Sequence, residues 1–514
     1  MEQNKELPAQ DDLTSKQQDY ALFLPAISSF YSTYVGKQRF DPFVEPARMP
    51  AGIQNMEQMN WLNSKEGLFP YKWSLYSAGH ADLDLTKHSP KEDMVRNREP
   101  GTTLLCDSGG FQIAKGVWPG AWADPKDKAA EKKRRAVLEW QCGIATHGLT
   151  MDIPTWTYLN KEAATACGIH SYDDAVNASK FNNEYWINNR HGDTKILNVL
   201  QGSNHGEADH WYSLMKDYCN PSKHQRPFDG WGMGGQNMCD VHLVLRRIVN
   251  LMHDGLLEKG LHDWMHFLGT SKLEWAVLLT DIQRAVRLYH NSNFTISFDC
   301  ASPFLATANG QLYYSIVTKN RDKWSYRMGP TADNKKYSTD NRLFGDAVRQ
   351  DGIHPNFEDS PITSRLKISD VCYYQPGMLN KIGKEGKTSW DSFSYALLMG
   401  HNVWTHLESV QRANREYDLG NGPDMLMHPH NQMFDFRSVV ERVFAAKDRQ
   451  KSLQIIDDHA NIWQRVIGTR GFTGKRAVNA HSMFNNLFEI GIEDSVDADQ
   501  LLDEGLLDQL EGSV

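Results

Sequence analysis

The sequence predicts an α/β fold, and within that class a TIM-like (β/α)8 barrel with insertions and a C-terminal helical extension. Two observations carry the expectation. From about residue 21 to residue 435, short apolar runs alternate with stretches whose apolar residues recur every three or four positions. That alternation is the signature of βα units and a parallel sheet. Several of the runs also end in a carboxylate, an amide or a glycine pair. Polar groups at so many strand ends favour a closed barrel, which carries its chemistry at the C-terminal ends of its strands, over an open sheet.

Residues 1–20 are polar and acidic with no apolar signal core, and are expected to form a disordered leader. The barrel is expected to span residues 21–435. Its strand-like runs include Thr102–Cys106, Ile196–Gln201, His266–Gly269 and Phe294–Asp299. Helical spacing is seen over Lys126–Trp140, Val241–Asp254 and Ser271–Tyr289. Residues 330–370 are polar and loop-like, and are expected to form a surface insertion. Residues 436–514 read as the helical extension, basic over 437–476 and acidic and amphipathic at the end.

A chain of 514 residues with 40% hydrophobic content can bury a large core. The net charge of −9 excludes a global basic field, so any nucleic-acid site must be a local patch. Seven cysteines at unpaired spacings suit free thiols in a reducing cytoplasm. No apolar run reaches membrane length, so no membrane partner is expected. Fifteen tryptophans imply either a thick core or a binding surface.

The most informative segments are Asp107-Ser108-Gly109-Gly110-Phe111-Gln112 and Ser297-Phe298-Asp299-Cys300. Each follows an apolar or β-prone run, so each puts a carboxylate at a strand end. Two carboxylates at a barrel mouth suit one acid/base and one nucleophile. The glycines let backbone approach a flat ligand, and Phe111 offers a ring to stack on it. Taken singly, each motif has a plainer reading. Gly109-Gly110 is a turn, Asp299 a strand-end cap, Asp152 a turn cap before Ile153-Pro154, Gln201 a polar rim residue, Gly234-Gly235 a bulge and Leu268 core.

In chain order the strand ends give Asp107, Asp152, Gln201, Gly234-Gly235, Leu268-Gly269 and Asp299. That set resembles the tRNA-guanine transglycosylase family, which carries DSGGFQ, a later strand-end Asp, a VQG strand, a GYAIGG strand, an LMG strand and FDC in the same order. The resemblance covers roughly residues 100–310 and extends weakly to His401-Asn402. It implies that Asp299 attacks C1′ of the target nucleotide and forms a covalent glycosyl-enzyme intermediate. Asp107 would be the general acid/base. Asp152 would accept from the N–H groups of the base, and Gln201 and the Gly235 N–H would hold its carbonyl oxygen. Phe111 and Leu268 would sandwich the ring, with Ser108, Gly234 and Gly269 completing the base site.

The departures narrow the expectation. Family members follow FDC with two arginines that help hold the anticodon loop; here Leu305 and Ala308 fall at those places, and neither can replace a guanidinium. The family's zinc pattern C-x-C-x2-C-x25-H reads here as Asp370, Cys372, Gln375 and His401. Only Cys372 and His401 remain as good ligands, so the structural zinc site is degraded and neither a metal nor an organic cofactor is expected. Base-exchange chemistry kept without tRNA recognition most resembles the 7-deazaguanine DNA transglycosylases of phage and bacterial DNA-modification systems.

The expected partners are therefore DNA and a free 7-deazaguanine such as the 7-cyano form, with the target base flipped out of the duplex. Lys132, Lys133, Arg134 and Arg135, in the insertion after the first motif, are the expected phosphate track. The basic residues of 437–476 read as a solvated helix face, and the GTRGFTGKR stretch near residue 470 lacks phosphate-loop spacing. A homodimer is allowed, and the location implied is cytoplasmic, the host cytoplasm for a phage-encoded chain. Two alternatives remain: a divergent tRNA-guanine transglycosylase, and a non-catalytic partner subunit that only binds nucleic acid.

Overall fold

The computed structural model describes residues 19–40, 44, 46–308, 310–317, 324–330, 332–373, 390–427 and 435–463. Eight parallel strands form one sheet: β1 Leu22–Pro25, β2 Trp73–Ser77, β3 Thr103–Asp107, β4 His147–Leu149, β5 Lys195–Leu200, β6 Gly230–Met233, β7 Trp264–Phe267 and β8 Thr295–Cys300. Neighbours in sequence are neighbours in the sheet, and β1 also pairs with β8. The remaining seam, between β1 and β2, is joined by a parallel bridge from Ala26 to Leu75 and a 2.9 Å hydrogen bond from the Ile27 N–H to the Leu75 carbonyl. The sheet thus curls into the expected (β/α)8 barrel, with helices around it.

The strands are buried almost throughout because helices cover one face and the barrel interior the other. In β5 every residue after Lys195 is buried. The covering helices read as expected, within a few residues: Lys128–Ile144, capped by Asp127; Val241–His253, capped by Asp240; and Leu273–Tyr289. All fifteen tryptophans except Trp264 are buried, so this abundance mostly builds a thick core. All seven cysteines are free thiols. Among the described residues, no helix is long and apolar enough to cross a membrane.

Three expectations about the flanks need correction. Residues 1–18 lie outside the described residues, but Tyr20 is buried, with the Arg284 guanidinium 5.4 Å from its ring centroid. Residues 330–370 are not a surface loop. They hold the helices Phe344–Gln350 and Ile368–Val371, and Phe344, Val348, Ile362 and Leu366 join the core. The periodic apolar residues were spaced too widely among polar ones to stand out. The extension from residue 436 is helical over Phe436–Ala445, Arg449–Asp458 and Ala460–Trp463, and residues 464–514, including the GTRGFTGKR stretch, lie outside the described residues. Its basic face is not simply solvated. Arg437 bonds the buried Asp281 at 2.8 Å, Arg449 pairs with Asp254, and Asp457 takes His242 and Arg246 at 2.9 Å each.

The long helix Ser392–Asp418 clamps the segment that follows β8. Asn402 Nδ2 donates to the Pro303 carbonyl at 3.1 Å and to Thr307 Oγ1 at 2.8 Å, and its Oδ1 accepts from the Tyr313 N–H. This fixes the helix Ser302–Ala308 and the hairpin Gln311–Val317 and Ser325–Pro330 beside the barrel mouth.

Candidate active site

The C-terminal ends of the strands converge on one cavity of about 250 Å³, several times the space one water molecule takes in the liquid. Asp107, Phe111, Asp152, Gln201, Gly234, Gly235, Leu268, Gly269 and Asp299 all line it. They come from β3, β4, β5, β6, β7 and β8, widely separated in sequence and brought together only by barrel closure. Sequence reasoning missed Met238 and Trp156, which also line the cavity, and Ser77 at the end of β2; Leu305, singled out for replacing an arginine, lines it too.

Asp107 ends β3 opposite Ser77 in the strand register. Ser77 Oγ donates to its Oδ2 at 2.7 Å, and the Gly109 N–H donates to the same oxygen at 3.2 Å. Burial pushes the Asp107 carboxyl above the ordinary carboxylate range; these two bonds work against that rise, and the nearby Asp299 charge adds to it. A carboxyl so placed can hold a proton and pass it to a leaving group.

The two glycines of the Asp107 segment serve the chain's own packing, and Gly110 also lines the cavity. Gly109 has φ of +80°, and a Cβ there would lie 2.4 Å from the Trp118 ring. At Gly110 a Cβ would lie 2.3 Å from the Asp152 carbonyl oxygen. Ser108 also corrects the expectation. It is fully buried, its hydroxyl donates to the Thr150 carbonyl at 3.0 Å, and it does not line the cavity. The strand pleat turns it away from the face that carries Asp107.

Asp152 lies just beyond β4 and Gln201 just beyond β5. Gln201 Nε2 donates to Asp152 Oδ2 at 2.7 Å. Burial pushes Asp152 up to about 7, against that bond, with the Asp107 charge adding to the rise. Among the described residues Gln201 Oε1 and Gln112 Oε1 are buried with no hydrogen-bond partner. A buried acceptor without a donor is costly unless a ligand supplies one. Phe111 and Trp156 stand edge to face, with centroids 5.7 Å apart, and Leu268 lines the same cavity. Flat apolar walls with convergent amide and carboxyl groups suit a planar ligand rich in N–H and carbonyl groups.

Asp299 lies on β8. Its Oδ1 accepts the Gly269 N–H at 2.8 Å and lies 3.1 Å from His266 Nε2. His266 was not singled out from sequence, although alternation puts it on the same side of the chain as Leu268, the residue just beyond β7.

The four residues expected to meet phosphate divide. Lys132 and Arg135 are exposed. Lys133 is half-buried, its Nζ 4.4 Å from the Trp118 ring centroid, and the Trp118 ring lies against Gly109 beside Asp107. Burial, with Lys132 next to it, lowers the proton affinity of Lys133. Arg134 is a correction: it is buried, its Nε bonds Asn182 Oδ1 at 2.6 Å, and its guanidinium lies 4.6 Å from the Phe181 ring centroid. Its place in the helix turns it inward, a periodicity that a run of four basic residues conceals. Lys115, which the sequence did not suggest, has its Nζ 5.5 Å from the Phe111 ring centroid. Among the described residues none of Lys115, Lys132, Lys133 and Arg135 pairs with a carboxylate.

The residues in the zinc register serve packing contacts. The Cys372 thiol donates to the Ala332 carbonyl at 3.2 Å, Asp370 Oδ2 accepts the Lys367 N–H at 2.7 Å, and His401, fully buried, lies 2.8 Å by its Nε2 from the Tyr313 carbonyl. Gln375 lies outside the described residues. Leu305 is buried and Ala308 packs against the core. No family model matches the chain, and no curated protein does.

Proposed function

We propose that the chain exchanges guanine in DNA for a 7-deazaguanine through a covalent aspartyl-glycosyl intermediate. The observation that carries the reading is the convergence of six ordered strand-end segments on one cavity, with Asp107 and Asp299 both lining it. In the first half-reaction Asp299 Oδ2 attacks C1′ and the C1′–N bond breaks, its electron pair leaving with guanine. Asp107 gives the departing base a proton. In the second, the incoming base returns a proton to Asp107, its nitrogen attacks C1′, and the Asp299 carboxylate is released. One glycosidic bond replaces another, so no redox partner or nucleotide triphosphate is consumed. This is the logic of a retaining glycosidase applied to an N-glycosidic bond.

Asp152 and Gln201 supply acceptors and a donor for the guanine edge, and Phe111 with Leu268 supplies apolar faces for the ring. DNA is favoured over tRNA because Leu305, an apolar wall of the cavity, falls where the resembled family keeps an arginine that helps hold the anticodon loop. Phosphate contacts then fall to Lys115, Lys132, Lys133 and Arg135. Labelled guanine, incubated with the chain and either duplex DNA or tRNA, tests the reading: label should enter DNA. Robust incorporation into tRNA with none into DNA would replace it with the tRNA alternative, and incorporation into neither would favour a binding subunit.

A further inference from the structure

Behind Asp299 lies a buried polar chain that base exchange does not by itself explain. His266 of β7 and Ser297 of β8 are register partners and both fully buried. Trp264 Nε1 donates to Ser297 Oγ at 2.7 Å, Ser297 Oγ lies 2.9 Å from His266 Nδ1, and His266 Nε2 lies 3.1 Å from Asp299 Oδ1. An indole N–H can only donate. The Ser297 hydroxyl therefore accepts from Trp264 and has its own proton to give, and His266 Nδ1 is the acceptor within reach. A neutral imidazole accepting at Nδ1 carries its proton on Nε2, facing the carboxylate. The other tautomer would set a lone pair against a carboxylate oxygen.

We infer that Trp264, Ser297 and His266 form a positioning relay for Asp299. The inference rests on the reading of Asp299 as nucleophile. The relay fixes the His266 tautomer. The His266 Nε2–H and the Gly269 N–H then both engage Oδ1, which locks the plane of a carboxylate whose terminal torsion is otherwise broad. Oδ2 is left for C1′. When the Oδ2–C1′ bond forms, Oδ1 becomes the carbonyl oxygen of the ester and keeps both hydrogen bonds. No proton moves along the relay, and His266 touches neither base nor sugar.

The test uses the full chain with duplex DNA and tRNA, and reads single-turnover adduct formation on denaturing gels, guanine affinity and the thermal midpoint. His266→Leu should slow adduct formation about 100-fold, the scale of a nucleophile displaced by an ångström, with little change in guanine affinity. His266→Gln keeps an N–H donor within reach of Oδ1 and should recover most of the rate; Ser297→Ala should fall between. A His266→Leu enzyme at the wild-type rate overturns the relay. So does a rate loss shared by the Leu and Gln variants and matched by lost guanine affinity or a collapsed thermal midpoint, since His266 would then be structural only. A wild-type chain that forms no adduct with either nucleic acid strikes the reading of Asp299 itself.

Discussion

Asp107 and Asp299 are the same residue type at the same kind of place, a strand end at the mouth of one barrel, yet their surroundings differ. Asp107 takes a hydroxyl and a backbone N–H on Oδ2 and is pushed up by burial. Asp299 takes a backbone N–H on Oδ1, with an imidazole nitrogen beside it. One carboxyl is pushed toward its protonated form; the other has one oxygen held by its neighbours. The neighbouring strand decides which: β2 supplies Ser77 to Asp107, and β7 supplies His266 to Asp299. On the proposed mechanism, the partner strand rather than the carboxylate decides which residue acts as acid and which as nucleophile.

The comparison breaks most sharply at Asp299. Asp299→Ala should abolish exchange and adduct formation with the fold retained, because no other group there can hold the sugar between half-reactions. Near-normal incorporation of labelled guanine by this variant would remove the asymmetry. Asp107→Asn should slow exchange by about two to four decades, the worth of a positioned acid/base. An adduct mapped by mass spectrometry to residue 107 of the wild-type chain would reverse the two roles.

Alanine at Lys132, Lys133 and Arg135 together should weaken DNA binding and flatten its dependence on log salt by up to about 0.9 per lost contact. Binding titrations across a salt series read both, and an unchanged slope would remove these residues from the interface. Arg134→Ala should instead lower the thermal midpoint, since that guanidinium is buried. Ser77→Ala removes a bond that holds the Asp107 carboxyl down. The pH–rate limb set by Asp107 should therefore move upward, with a rate loss within about tenfold. A limb that stays in place would separate Asp107 from that titration.

The smallest effect concerns Asp152. The folded chain keeps its proton up to about 7, whereas an unperturbed Asp loses it near 3.8. The folded state thus binds more protons between those values, and stability falls as pH rises through that window. Asp152→Asn removes this component. The two thermal midpoints should agree near pH 4 and differ by about 1–3 °C at pH 8, with the Asn variant higher. A constant difference across pH would show that Asp152 does not titrate there.

Much of this was legible in the chain. The alternation of runs and the order of strand-end residues placed Asp107, Asp152, Gln201 and Asp299 at one mouth before any coordinates. What was not legible depends on side-chain direction and on strand neighbours. Ser108 follows Asp107 in sequence but faces the other way. Arg134 sits among exposed cations but points inward. Ser77 ends a strand in which serines interrupt the apolar run, and His266 gains meaning only once Ser297 and Asp299 lie beside it. The helices within 330–370 hide because their apolar residues are few, and their burial comes from the barrel they pack on.

The seam of the barrel has a consequence for the site. Asp299 on β8 and Asp107 on β3 are separated by β1 and β2, which meet through one bridge and the Ile27–Leu75 bond. The span between the two carboxylates is thus closed by the thinnest joint in the sheet. Amide exchange at Ile27 reports on that joint directly. If the joint opens, Asp107 and Asp299 move apart, so a loosened seam would separate the two groups of the proposed mechanism.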